Sequence, residues 1–323
     1  MSGARAGGVG LGLFPTPLHH ADLGSRLGRL WLKRDDLNGY CWGGNKVRTV
    51  EAILTDALAA DVEVLVVAGG PSSNFAALLA VAAAEHGVEV RQFSHGHPRG
   101  GAAITLAERA GALIHYTGSP DKASMETAAL AEVERLRAVG RRVRAVPRGG
   151  ATAVGARGFV TAAAELLAQL DERGLDRVSV VLPLGSGGST AGLLAGLAAA
   201  RSTRSDRVEV VAVAVTRDPA QVAGVVSELA AEVAGGETPA VDWRVVDGRQ
   251  VDVPATEATL LRSVGLVADP VYNAPALGWL AAHRDDFSRP VVYWLTGGLL
   301  AAADSLAGTP APGRPDRAQE VRP

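Results

Sequence analysis

The chain has 323 residues and a formal net charge of −2, from 32 Lys+Arg against 34 Asp+Glu, which excludes the strongly basic footprint of a nucleic-acid binder. A hydrophobic share of 47% with 20% charged residues is that of a globular protein, and an aromatic share of 4% leaves the core mostly to Ala, Val and Leu. A single cysteine, Cys41, excludes an intrachain disulfide and a multi-cysteine metal centre, and the longest apolar stretches are too short to span a bilayer, so we expect a cytoplasmic protein with no metal and no membrane partner. In chain order, short β-branched runs at 62–67, 88–93, 143–146, 178–182, 208–215, 241–246 and 291–295 predict strands. Several are apolar at nearly every position, as strands covered on both faces are. Between them, stretches rich in Ala, Leu and Glu at 48–60, 74–86, 125–139, 156–171 and 190–201 predict helices. That alternation means an α/β fold with largely parallel sheets. Polar residues 201–207 predict a loop, and the tail from Gly308, rich in Pro, Gly and charge, predicts disorder.

Lysine is scarce. Lys33, Lys46 and Lys122 are the three in the chain, so chemistry that needs an amine has three possible places. Lys46 follows Gly43, Gly44 and Asn45 at the entrance of a predicted helix. Glycines there let a ligand come close, and a desolvated lysine has a lowered pKa and can condense with an aldehyde. Alone, the same four residues read better as a solvated turn. Gly185, Ser186, Gly187, Gly188, Ser189 and Thr190 join a strand to a helix. Such a loop is either a flexible turn or a phosphate cradle, in which several backbone N–H groups and a helix N-terminus face one anion. It is not a P-loop, because no lysine follows the glycines, and it lies too late in the chain for a dinucleotide fingerprint. A phosphate cradle together with an amine is what pyridoxal phosphate needs. Gly69, Gly70, Pro71, Ser72, Ser73 and Asn74 also lead from a strand into a helix. Ser73 or Asn74 suits the N-cap, and the same N–H groups and the Asn74 amide suit a carboxylate and a ring hydroxyl. Thr296 puts a hydroxyl at the C-terminal end of the last strand, where α/β folds bind ligands. Asp269, Pro270, Val271, Tyr272 and Asn273 form a turn with one tyrosine.

Taken in order, PTPL at 15–18, WLKRDDLNG at 31–39, GGNKVR at 43–48, Ser73-Asn74, PRGG at 147–150, GSGGSTAG at 185–192, DPVY at 269–272 and TGG at 296–298 resemble one family. It is that of the D-cysteine desulfhydrases and 1-aminocyclopropane-1-carboxylate (ACC) deaminases, a branch of the tryptophan-synthase-β-like, fold type II pyridoxal-phosphate enzymes. The resemblance implies two open, twisted, mostly parallel sheets flanked by helices. Residues 1–48 and 151–307 would form a large cofactor-binding domain and residues 49–150 a small one. The cleft between them would hold pyridoxal 5'-phosphate and a small amino-acid substrate, and the protein would be a homodimer. Lys46 would carry the cofactor, with Asn74, Gly185, Ser186, Gly187, Gly188, Ser189, Thr190 and Thr296 around it. Lys46, Ser73 and Tyr272 would be the catalytic groups. Lys33 would belong to a structural charge cluster at a strand end, and Lys122 would start a surface helix.

The departures gather where the substrate would lie, at Trp42, Ser72, Phe75, Asn273 and Leu295. The family has QSNH or QSNQ where this chain reads Ser72, Ser73, Asn74, Phe75, so a polar side chain has become Phe75. A tyrosine usual in a YGxP segment aligns with Val251, the usual HTGG or HLGG begins with Leu295, and Tyr40, Cys41 and Trp42 make a bulkier approach to the lysine. ACC deaminases have Glu after the DPVY tyrosine and Leu before the final glycines, where this chain has Asn273 and Thr296. Neutral groups near the pyridine nitrogen leave it largely unprotonated, and that weaker electron sink suits Cα-proton removal with β-elimination rather than ring opening. The expectation is a pyridoxal-phosphate-dependent lyase or deaminase of the D-cysteine desulfhydrase kind, acting by α,β-elimination. The alternatives are β- or γ-replacement or another step in nonstandard amino-acid metabolism, ACC ring opening, or cofactor binding without catalysis.

Overall fold

The computed structural model describes residues 8–24, 26–200, 207–256, 260 and 265–308. In chain order its elements are β1 (Leu18–Asp22), β2 (Arg29–Arg34), α1 (Lys46–Ala59), β3 (Val64–Ala68), α2 (Asn74–Glu85), β4 (Glu89–Ser94), α3 (Ala102–Arg109), β5 (Leu113–Tyr116), α4 (Lys122–Ala138), β6 (Val143–Val146), α5 (Ala153–Glu172), β7 (Val178–Leu184), α6 (Gly188–Ala199), β8 (Val208–Ala214), α7 (Pro219–Val233), β9 (Trp243–Asp247), α8 (Asn273–Ala282), β10 (Val291–Leu295) and α9 (Leu299–Leu306). They build a six-stranded sheet ordered β1-β2-β10-β7-β8-β9 and a four-stranded sheet ordered β5-β4-β3-β6. Every pairing is parallel except β1 with β2. The expected α/β architecture of two mostly parallel, helix-flanked sheets is therefore what the chain forms. Apart from Arg207 and Gly308, the expected polar loop and the expected disordered tail lie outside the described residues.

Strand periodicity explains how both faces of each sheet are filled. All of β7 is buried. Val180 and Leu182 face Phe159 and Leu166 of α5, Leu194 of α6 and Val226 of α7, while Val181 faces the side that holds Leu277 and Leu280 of α8. In the smaller sheet Leu65 and Val67 pack toward α1 and α2, and Val64 and Val66 toward α4. That helix offers Met125, Ala129, Val133 and Leu136, one stripe at intervals of four, four and three residues. Helices α5 and α6 meet backbone to backbone: a Cβ on Gly192 would overlap the Ala156 carbonyl oxygen.

The N-terminal strands and α1 are joined by a buried charge network. Arg48 Nε and Nη2 donate to the two Asp35 carboxylate oxygens at 3.0 and 2.9 Å, and Nη1 donates to Glu165 at 3.0 Å. Lys33 pairs with Glu165 and donates to the Thr16 carbonyl at 2.6 Å and to Gln169 Oε1 at 2.9 Å. Lys33 and Asp35 are fully buried. Burial would raise the Asp35 and Glu165 carboxyls, but the Arg48 guanidinium and the Lys33 ammonium together outweigh it and hold both below their ordinary values. The network ties β2, α1 and α5 together and so fixes the helix whose first residue is Lys46. Removing one partner of a buried pair leaves an uncompensated charge. Arg48→Leu should lower the unfolding free energy by about 3–5 kcal/mol in urea denaturation. The two depressed carboxyls should make stability complete above about pH 4.3 and let it fade as the pH falls through their folded values. An Arg48→Leu loss under about 1 kcal/mol would place the network on the surface side of this energetic divide.

Candidate active site

Loops at the C-terminal ends of β3, β4, β6, β7, β8 and β10 converge on one cavity of about 280 Å³. Lys46 lies in its wall at the first position of α1. The loop before it is clasped from the opposite sheet. Asn45 N donates to the Thr296 carbonyl at 2.8 Å, and a Cβ on Gly44, whose φ is +57°, would overlap that same oxygen. Asn45 Nδ2 donates to Ser189 Oγ at 3.0 Å, which links the lysine loop to the glycine loop before α6. Burial alone brings the Lys46 amine down to about 8.

Ser73 caps α2 by accepting from Ala76 N at 3.2 Å, and its hydroxyl lines the cavity. Asn74 Nδ2 donates to the Gly43 carbonyl at 3.0 Å, while its buried Oδ1 has no hydrogen-bond partner. Gly187, with φ +99°, stands at the N-cap of α6 and no side chain caps that helix, so its first-turn N–H groups are left for a ligand. Gly185 makes room for Tyr272: a Cβ there would lie 2.7 Å from the tyrosine ring. Tyr272 is 37% exposed and lines the cavity. Burial and the Asp269 carboxylate push its phenol up, so it is a proton donor at neutral pH.

Asp269 is buried behind the cavity and carries this turn. It accepts from the backbone N–H groups of Val271, Tyr272 and Asn273 at 3.1, 2.7 and 3.1 Å, and from Asn273 Nδ2 at 2.6 Å. Burial lifts it to about 6 against those bonds. Asn273 Nδ2 also donates to the Gly297 carbonyl at 2.6 Å, and Thr296 Oγ1 lies within hydrogen-bond distance of the same amide, 3.1 Å from Nδ2 and 3.3 Å from Oδ1. The cavity thus gathers Lys46, Ser72, Ser73, Asn74, Phe75, Gly185, Ser186, Gly187, Ser189, Thr190, Tyr272 and Thr296.

Other expected residues are placed elsewhere. Trp42 is 61% exposed and outside the cavity wall, with Cys41 and Trp42 both at positive φ. Leu295 is consumed by the core of the six-stranded sheet, and Asn273 is spent on Asp269, Thr296 and Gly297 one layer behind the wall. Gly188 opens α6 without lining the cavity. Val251 packs where a Cβ on Gly278 of α8 would overlap it. Lys122 does begin α4 and is exposed, but it also lines the cavity. Sequence reasoning missed Asp269 as the organiser of the tyrosine turn, and it missed His95, Arg99, Arg148 and Arg217 in the cavity wall. The acid four residues before Asn273 was the available signal for the first. The basic residues come from three separate segments and had none.

The model of the family described as "Pyridoxal-phosphate dependent enzyme" matches residues 9–297. The chain belongs to that family. A Pyrococcus abyssi protein provisionally named 1-aminocyclopropane-1-carboxylate deaminase is 31% identical over 279 residues, covering 84% of each chain. A D-cysteine desulfhydrase of Salmonella newport is 31% identical over 315 residues, covering 89% of this chain and 92% of the relative. A crystal structure described as an ACC deaminase homologue superposes with a TM-score of 0.82 at 26% identity, covering 94% of this chain and 96% of the other. The protein is thus a pyridoxal-phosphate-dependent enzyme of the ACC deaminase and D-cysteine desulfhydrase type, with the fold type II architecture. The cavity fits the cofactor of this family. The orphaned Asn74 Oδ1 can accept from a ring hydroxyl, the uncapped α6 can take a phosphate, and Lys46 offers an amine in the same wall. Condensation with an aldehyde needs the unprotonated amine, so cofactor uptake by the apoprotein should speed up as the pH rises through about 8. The growth of visible absorbance after mixing reports it. A rate unchanged from about pH 7 to pH 9 would remove Lys46 as the responsible amine.

Proposed function

We propose that the enzyme carries out α,β-elimination on a small α-amino acid with a leaving group on Cβ, as a D-cysteine desulfhydrase does. One observation carries this most: Lys46, the α2 N-terminus with Ser73, and Tyr272 share a single cavity whose described wall contains no Asp or Glu. When bound, pyridoxal phosphate supplies the aldehyde that holds the substrate's amino group and the ring that draws electrons from Cα. Ser73 Oγ and the α2 N-terminus would hold the substrate carboxylate. Lys46 Nζ, lowered to about 8, would take the proton from Cα. The Cα–H electron pair becomes the Cα–Cβ double bond as the β substituent leaves with its own pair, and the Tyr272 phenol gives that group a proton. Water then turns the released enamine into pyruvate and ammonia. At Thr296 the wall offers a hydroxyl bonded to the neutral Asn273 amide, and Asp269 stands behind that amide, which favours elimination over ring opening.

Holoenzyme should be incubated with β-substituted alanines of both hands and with ACC. Pyruvate, ammonia and the free β substituent should come from at least one of the former, and Lys46→Ala should lower that turnover about 10²- to 10⁴-fold. Ring opening of ACC with no elimination product would overturn the proposal.

A further inference from the structure

The cavity wall carries far more positive charge than its cofactor and a plain amino acid need. Besides Lys46, it contains Arg99 from the loop after β4, Lys122 at the start of α4, Arg148 after β6 and Arg217 after β8. Only Arg148 has an acid partner, Glu126 at 2.5 Å. Among the described residues Arg99, Lys122 and Arg217 make no ion pair, although the whole chain is net negative at −2. The groups lie close enough to oppose one another. Burial and then the Arg148 charge lower Arg217 against the opposing pull of Glu126, and burial with Arg99, Lys122 and Arg148 lowers His95, whose Nδ1 is buried without a partner. Both Arg217 and Arg148 also act on the Tyr272 phenol, so the positive wall stands beside the group that would meet a departing β substituent.

Two anions in the cavity already have neutral seats. The cofactor phosphate has the glycine loop and the uncapped α6, and a substrate carboxylate has Ser73 and the α2 N-terminus. Arg99 and Lys122 are exposed at the cavity mouth while Arg148 and Arg217 are half-buried, and cations gathered in one cleft focus a positive field that draws anions into it. We infer that Arg99, Lys122, Arg148 and Arg217 form a subsite for a second anionic group, so that the preferred substrate is an α-amino acid whose β substituent is an oxyanion of phosphorus or sulfur. The subsite rests on the elimination proposed above. The Cβ–O or Cβ–S bond breaks, the electron pair departs with the phosphate, sulfate or sulfite, and no oxidant or reductant is needed.

The test uses holoenzyme and compares O-phosphoserine, serine O-sulfate and cysteate with cysteine and β-chloroalanine, in both hands, reading pyruvate release and the change in the cofactor's visible band. At least one of the oxyanion substrates should exceed both neutral ones in kcat/KM by about tenfold or more, and which one does so distinguishes phosphate ester from sulfate ester from sulfonate. Arg217→Gln and, separately, Arg99→Gln should lower that oxyanion-to-neutral ratio about tenfold each. Neutral substrates eliminated as well as or better than the anionic ones would overturn the subsite and leave the elimination standing. Loss of bound cofactor in the two variants would also overturn it, by assigning the cations to the cofactor phosphate. No elimination and no spectral response with any amino acid would overturn both.

Discussion

Arg48 is two residues beyond Lys46 on the same helix, and the position of the amine depends on where that guanidinium is held. Asp35 and Glu165 take it from two sides, one beside the end of β2 and one on α5, with Lys33 completing the charge balance. Four charged groups out of water are tolerated only when each is paired and hydrogen-bonded, which makes the arrangement geometrically exacting. The helix therefore has one rotational setting, and its first residue has one place to be. The clasp of Gly44 and Asn45 on Thr296 fixes the other side of the same lysine, with backbone contact that no side chain could allow.

Around that lysine the cavity separates its electrostatic tasks. The starts of α2 and α6 bring backbone N–H groups, which suit anions, to the cavity. A buried acid, Asp269, sets the tyrosine and the Thr296 hydroxyl from behind an intervening amide, so its charge organises the wall without entering it. The basic side chains come from loops of both sheets. Burial alone moves the Lys46 amine toward neutrality, which is possible because no carboxylate shares its part of the wall.

Much of this was legible in the chain. The seven β-branched runs all form strands, and those covered on both faces, such as β3 and β10, are apolar throughout. β1, β2 and β5 were hidden. Two of them alternate or mix charged with apolar residues at the sheet margin, and LIHY in β5 is too short to show a period. Lys46 was legible because glycines flank it and the other lysines lack them. Trp42, Asn273, Leu295 and Val251 were not, because a difference from a motif marks a position without saying which way the side chain faces.

The sequence by itself determined the α/β class and the cofactor, and it pointed to Lys46 and to the glycine loop at 185–190, since each rests on local spacing and residue type. Only the tertiary structure decided which polar groups share the cavity. It made Asp269 a support for Tyr272, set Asn273 behind the cavity wall, and brought Lys122 from a helix start on the surface into one wall with Arg99, Arg148 and Arg217. The physical reason is that parallel strands deliver their C-terminal loops to one edge whatever their distance in the chain, so neighbours in the site are strangers in the sequence.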